Sequence, residues 1–269
     1  MNDVLVTGTD TGVGKTMIAA ALVKALRARA VRAIGFKPVE TGVEEGRPSD
    51  SDLLARVSPD ATPLTRPLLQ LSEPLAPAVA AERAGVLVQP EDIEKRIDML
   101  RRAGYCVVVE GAGGVLVPLA WEKGAGLLFR GERPKQEPGP FFTVVDLAER
   151  CGLEAIIVAR AGLGTLNHVA LTVAMLRARK IPIRGIVLNG RASPGSDPRT
   201  VPGSDPDLAE ATNPAALARM VVDIVIVEVP LHSGSDPIEA TVPHLGPLIA
   251  GLAPGSDPRT VPGSDPVMP

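Results

Sequence analysis

The sequence predicts an α/β domain built on a doubly wound, mostly parallel sheet. Near-continuous apolar runs of strand length recur along the chain, segments of helical period separate them, and polar residues collect where the apolar runs end. Strands covered by helices on both faces read as unbroken apolar runs rather than as alternating ones. With 269 residues the chain is long enough for a single domain of this type with a substantial core. A formal charge of −3, dispersed Lys and Arg and scarce aromatics leave no nucleic-acid interface to expect. Cys106 and Cys151 lie far apart, in or beside apolar runs and without zinc-type spacing, so they read as packing residues. No segment approaches the roughly 20 apolar residues that span a bilayer, and the N-terminus has no charged region followed by an apolar one. No membrane contact and a cytoplasmic location are therefore expected.

Taken in order, the first apolar run is Val4 to Val6. It leads into GTDTGVGKT, Gly8 to Thr16, and then into the apolar-periodic stretch Met17 to Leu26, which reads as strand, glycine-rich loop, helix. The later strands are expected at Val31 to Phe36, Cys106 to Val109, Ala155 to Ala159, Ile183 to Leu188 and Ile224 to Val229. Helical patterns fall at about Asp52 to Val57, Glu91 to Arg102, Thr143 to Arg150, Leu166 to Ala178 and Pro214 to Val221. Ligands of such sheets bind at the carboxyl ends of the strands. Lys37, Glu110, Arg160, Asn189 and Glu228 are placed at those ends.

The loop carries the clearest chemistry. Gly12 and Gly14 let backbone approach an anion, and the N–H groups of the new helix point at it with the positive end of the helix dipole behind them. Lys15 supplies a point charge for β/γ-phosphates, and the Thr16 hydroxyl reaches Mg²⁺. The loop departs from G-x-x-x-x-G-K-[ST] at one place, because Thr9 fills the first glycine slot. Lys37, in FKPVETG, reads either as a stabiliser of developing negative charge or as a solvated strand-end lysine. Glu110, in VEGAGG, follows four apolar residues and precedes a glycine-rich turn. Unpaired burial is costly, so it needs a metal or cation beside it, or a structural ion pair with Lys37 or Lys15. Asn189, in VLNG, either reads the edge of a base or marks a turn.

These motifs together resemble the dethiobiotin synthetase family. The resemblance rests on GTDTGVGKT, GFKPVETG, SDSDLL, VEGAGG, ARAGLGTLNH, GIVLNG and EVP in that order, and covers most of residues 1 to 230. It implies a P-loop NTPase-type fold and an ATP-dependent cyclo-ligase of biotin biosynthesis. An amine of 7,8-diaminononanoate takes up CO₂ as a carbamate, the carbamate attacks the γ-phosphate of ATP, and the second amine closes the cyclic urea. By position, the resemblance makes Lys37 and Lys15 catalytic. It places ATP on Gly12, Val13, Gly14, Lys15, Thr16, Met17, Asp52, Glu110, Gly111, Ala112, Gly113, Asn189, Gly190, Pro230 and Leu231. Mg²⁺ falls to Thr16, Asp52 and Glu110, hard oxygen donors suited to that ion. Asp52 is preferred to Asp50 because it directly precedes Leu53 and Leu54. The diamine falls to Thr41 and Gly114, and its carboxylate to Gly164, Thr165, Leu166 and Asn167 across a homodimer interface. An ordinary helix start capped by Thr165 is the plainer reading of that last segment. The related partition-type ATPases carry a lysine where this chain has Asp10.

Two departures stand out. An insertion rich in Gly, Pro, Lys, Arg and Glu occupies about 123–140 and reads as a surface loop, with a lid as the alternative. PGSDPRTVPGSDP occurs at 194–206 and again at 254–266, with a shorter GSDP at 234–237, and such composition is expected to be disordered or extended. The synthetase domain is thus expected over 1–252, with a disordered repeat tail at 253–269. Two other classes are weighed. An amidotransferase-type synthetase acting on a corrinoid precursor requires a glutaminase domain for which no length remains. A non-catalytic nucleotide-binding module is opposed by the joint presence of Lys15, Thr16, Lys37, Asp52 and Glu110.

Overall fold

The chain folds around a six-stranded parallel sheet. A computed structural model describes residues 3–58, 65–121, 141–190, 206–230 and 236–250. The insertion at about 123–140, the repeat at 194–205, Leu231 and the tail at 253–269 lie outside them. The first half of the chain forms β1 (Val4–Gly8), α1 (Lys15–Arg27), β2 (Ala33–Phe36), β3 (Val39–Thr41), α2 (Asp50–Val57), β4 (Leu69–Leu71), α3 (Pro77–Arg83), α4 (Pro90–Arg102) and β5 (Cys106–Gly114). The second half forms β6 (Pro118–Trp121), β7 (Phe141–Thr143), α5 (Val144–Cys151), β8 (Glu154–Arg160), α6 (Thr165–Ala178), β9 (Ile183–Asn189), α7 (Pro206–Met220), β10 (Ile226–Val229), α8 (Pro237–Thr241) and α9 (Gly246–Ile249). The main sheet runs β10-β9-β8-β1-β5-β2, and every pairing within it is parallel.

The strands alternate between two cores. Val4, Val6, Cys106, Val108, Ile156 and Val158 face one that also receives Ile18 and Leu22 of α1 and Leu54 of α2. Leu5, Val107, Val109, Ile157 and Ala159 face the other, where Ile93 and Ile97 of α4, Leu147 of α5 and Val173 of α6 pack. Helices on both faces explain why the strands carry no polar alternation, and both cysteines are buried among these residues. The same alternation has a chemical consequence. Glu110 continues the Cys106, Val108 side of β5, and Lys37 continues the Ala33, Gly35 side of β2, so both side chains emerge on the face covered by α1 and α2. Gly35 lets α2 come close, since a Cβ there would stand 2.9 Å from Leu54 Cδ2.

Several elements differ from the reading of the sequence. The glycines after Glu110 do not turn the chain. They extend β5 to Gly114 with a shift in register between the Val6 and Gly8 pairings, and Gly8 pairs with Gly114. α7 begins at Pro206 rather than near Pro214, which sits inside the helix. A proline there removes one backbone donor, while the neighbouring Asn213 amide donates to Ala161 O at 2.7 Å and Gly162 O at 3.0 Å, tying α7 to the loop after β8. The short GSDP repeat is also put to use. Asp236 caps α8 by accepting from the N–H groups of Ile238 and Glu239, and Pro237 takes the first helical position, where it needs no donor. Glu228, expected past a strand end, lies exposed within β10. The small pairs β3 with β4 and β6 with β7 are too short to announce themselves by periodicity.

α5 shows how local chemistry starts a helix. Thr143 and Asp146 form a reciprocal capping box, and Arg179 donates to Asp146 Oδ1 at 2.7 Å. Burial opposes ionisation of Asp146, but the Thr143 hydrogen bonds and the Arg179 guanidinium outweigh it and hold the carboxyl below its ordinary range. A carboxylate depressed in this way adds stability that is present above its unfolded pKa and lost as pH falls through the folded one. Asp146→Ala should therefore destabilise the protein by about 1 kcal/mol at neutral pH. The difference from the parent should shrink in acid, as denaturant unfolding at the two conditions will read.

Candidate active site

The carboxyl edge of β1 opens into the loop Gly8–Lys15. Gly12 and Gly14 adopt φ of +72° and +94°, left-handed conformations that glycine takes without strain. Gly14 has a second constraint, because a Cβ there would lie 2.1 Å from Asn189 Nδ2. That amide donates to Val13 O at 2.9 Å, so Asn189 at the end of β9 braces the loop from the side. Lys15 is buried and donates to Asp10 O at 3.2 Å, folding back over the loop it belongs to. Burial lowers its pKa against the opposing charge of Glu110. Met17 follows on the first turn of α1 and packs against the core beneath.

Around this loop a cluster of charged and hydroxyl groups converges. Glu110 is 1% exposed. Its Oε1 accepts from Thr16 Oγ1 at 2.8 Å and from Lys37 Nζ at 3.0 Å. Lys37 Nζ also donates to Asp50 Oδ2. Burial works against the Lys37 charge, but the carboxylates of Glu110 and Asp50 outweigh it and raise its pKa, so the ammonium stays charged. Burial raises the Glu110 carboxyl, with Lys37 opposing. Among the described residues Glu110 Oε2, which is buried, has no hydrogen-bond partner. Thus the ion pair that the sequence left as one option is made, and one oxygen of the same carboxylate remains unsatisfied.

Asp52 does not join the cluster. Its carboxylate accepts from Ser49 N at 2.8 Å while Ser49 Oγ accepts from Asp52 N at 3.2 Å, a capping box that turns Asp52 outward to solvent. Asp50, the first residue of α2, faces Lys37 instead. The S-x-x-D spacing of Ser49 and Asp52 carries the capping signal and would have assigned Asp52 to the cap. Glu40 was not singled out from the sequence at all. It is 3% exposed and accepts from Asp50 N, Ser51 N, Ser51 Oγ and Gln70 Nε2.

The remaining candidates are spread along the same edge. Gly111, Ala112, Gly113 and Gly114 form the bulged end of β5, packed tightly enough that a Cβ on Gly111 would meet Val144 Cγ1 at 2.8 Å. Thr41 ends β3, one residue after Glu40. Gly190 donates its N–H to Val229 O at 2.6 Å, and Pro230 is exposed after β10. Gly164, at φ +92°, occupies the cap position of α6 without a side-chain cap. Thr165 is therefore the first helical residue rather than the cap, and its buried hydroxyl has no hydrogen-bond partner among the described residues. Leu166 and Asn167 continue that first turn, beyond the strand beside β1.

Comparison with known proteins follows the same pattern. A family described as an AAA domain matches residues 2–124 and 137–243. The ATP-dependent dethiobiotin synthetase BioD of Anaeromyxobacter dehalogenans is 42% identical over 219 residues, covering 81% of this chain and 89% of that protein. The enzyme of the same name from Mycobacterium tuberculosis is 36% identical over 241 residues, covering 89% of this chain and 91% of its own length. Among solved structures, a septum site-determining protein MinD from Pyrococcus horikoshii complexed with Mg-ADP is 17% identical, covers 94% of this chain and 96% of its own, and gives a TM-score of 0.48.

The crowding at Gly14 gives a direct test of the loop geometry. Gly14→Ala should cost about 1–2 kcal/mol for the left-handed backbone alone, and more from the collision with Asn189. Adding Asn189→Gly should recover the steric part and leave the backbone part, a non-additivity that denaturant unfolding of the single and double variants will measure.

Proposed function

The chain belongs to the AAA domain family and to the ATP-dependent dethiobiotin synthetase family, and on that premise we propose that it uses ATP to carboxylate 7,8-diaminononanoate with CO₂ and close the cyclic urea of dethiobiotin. The observation that carries this reading is the meeting of Lys37 with Thr16, Asp50 and Glu110 beside the loop of Lys15. A phosphate cradle alone would serve any nucleotide-binding protein. A second, charged lysine held next to it by two carboxylates serves a reaction in which an anionic acceptor approaches an anionic phosphate.

The chemistry asks mainly for positioning and charge. One amine nitrogen bonds to the carbon of CO₂ and loses a proton, giving a carbamate. A carbamate oxygen attacks the γ-phosphorus, and the bond to the β,γ-bridging oxygen breaks to release ADP. The second amine then attacks the carbonyl carbon and expels inorganic phosphate. In this scheme the loop N–H groups and Lys15 hold the β- and γ-phosphates. Lys37 stabilises the carbamate and the transferring phosphoryl oxygens, as a fixed ammonium does where negative charge gathers. Thr41 and Gly114 line the diamine side.

Mg²⁺ fits the residues present. Among the described residues the buried Glu110 Oε2 has no hydrogen-bond partner, and Thr16 Oγ1, Asp50 and Glu110 form the hard-oxygen set the ion prefers. When bound, it would neutralise charge on the β- and γ-phosphate oxygens. Asp50 takes the place the sequence reading gave to Asp52. A homodimer is part of the proposal: Leu163 and Leu171, at and on α6, are 60% and 62% exposed. A second copy packed there would bring the start of α6, Gly164 to Asn167, to the neighbouring site. A cytoplasmic location belongs to the same reading, and among the described residues no helix is long and apolar enough to cross a membrane.

The decisive assay is phosphate release from Mg-ATP and bicarbonate with and without 7,8-diaminononanoate, with dethiobiotin followed by mass spectrometry. Release should depend on the diamine, and Lys37→Ala should lower kcat by about 10²–10³-fold. Nucleotide binding without diamine-dependent release would reject the synthetase reading. In the same assay Asp50→Asn should raise the Mg²⁺ concentration needed for half-maximal rate by about tenfold or more, while Asp52→Asn leaves it unchanged.

A further inference from the structure

Glu40 is a buried carboxylate whose surroundings need explaining. Its Oε1 accepts from the N–H of Asp50 at 2.5 Å and of Ser51 at 3.3 Å; its Oε2 accepts from Ser51 Oγ at 2.7 Å and Gln70 Nε2 at 3.1 Å. All four donors are neutral. The positive counterpart is the N-terminus of α2, whose first two free N–H groups point at the carboxylate with the helix dipole behind them. On the other side, Gln70 is the residue paired directly with Glu40 across β3 and β4. Glu40 therefore clamps a helix start to a strand pair.

That clamp fixes a distance in the active site. Glu40 lies three residues after Lys37, separated from it by Pro38 and Val39, and Pro38 has a locked φ. The segment 37–40 thus meets the start of α2 twice, once through Lys37 Nζ on the Asp50 carboxylate and once through Glu40 Oε1 on the Asp50 backbone N–H. We propose that Glu40 is a positioning residue that sets the Asp50 carboxylate against Lys37 and toward the magnesium ion, so that metal affinity depends on Glu40 although it does not touch the metal. The proposal deepens the synthetase reading through Asp50. The clamp also spends the dipole of α2 internally, so the helix presents a side-chain carboxylate to the site instead of bare N–H groups.

The test is the affinity of the intact protein for Mn²⁺ in the presence of ADP, followed by electron paramagnetic resonance, with thermal unfolding alongside. Glu40→Gln keeps the size but removes the negative charge that faces the start of α2, and its NH₂ can be accommodated only if the Ser51 hydroxyl turns or the Gln70 amide flips. It should weaken Mn²⁺ by about 10- to 100-fold, the usual effect of losing a group that orients a ligand. In an Asp50→Asn background the same change should add little. An undiminished effect in that background, or no effect in the parent, overturns the proposal. Should Glu40→Gln fail to fold, Gln70→Ala, which removes one donor from Oε2, takes its place under the same comparison. Because Mn²⁺ binding is read without the diamine, a protein that makes no dethiobiotin would overturn the synthetase reading and leave this test intact.

Discussion

Everything at the carboxyl edge of the sheet is arranged around one buried carboxylate, Glu110. A carboxylate 1% exposed is expensive unless it is paired and hydrogen-bonded. Three elements answer that demand. The pairing of β1 with β5 places Val6 opposite Glu110, and α1 then returns Thr16 to the carboxylate after the loop. β2 pairs with the other side of β5 through Phe36 and Val109, so Lys37, the next residue, arrives from the opposite flank. Parallel register thus converts neighbours in the sheet into neighbours in charge. A slip of one residue in either pairing would turn Glu110 or Lys37 into the apolar layer of the other face.

The loop and the lysine cluster are braced by different parts of the chain. Asn189, from β9, sits two strands away from β1 in the sheet and reaches over β8 to hold Val13. The α2 helix is held by Leu54 against Gly35 below and by Glu40 at its start. Phosphate cradle and acidic helix therefore answer to separate supports and meet at Glu110 and Lys37. Arg160 at the end of β8 adds an ion pair to Asp10 of the loop at 3.9 Å, a support from the neighbouring strand.

Much of this was legible in the chain because the loop, the strands and their polar ends are local features. Apolar runs located every strand of the main sheet, since burial on both faces leaves no other pattern, but the half of β5 from Glu110 to Gly114 carries no such run. The capping boxes are legible too: the S-x-x-D spacing from Ser49 assigns Asp52 to the helix cap, whereas its place before Leu53 says nothing of where its side chain goes. Glu40 was not legible. Its partners are backbone N–H groups and a glutamine 30 residues on, and no local spacing announces a carboxylate that serves a helix start from a three-residue strand. The helical Pro206 to Asn213 was hidden by Pro214, which sequence reading takes as a helix start and the fold places inside one.

The charge balance of the site ties these observations together. Lys15 and Lys37 face Glu110 and Asp50, two cations against two carboxylates, all buried except Asp50, whose side chain is 47% exposed. The two lysines nevertheless differ: burial lowers the pKa of Lys15, whereas Lys37, with both carboxylates on its ammonium, is raised. Among the described residues Lys15 makes no ion pair and donates to a backbone carbonyl, so its burial is less offset than that of Lys37. Lys37 already has its counter-charge. The two carboxylates take two of its three N–H donors, which leaves one for a new anion. The same two carboxylates thus leave the two lysines in different electrostatic states, Lys15 short of counter-charge and Lys37 supplied with it.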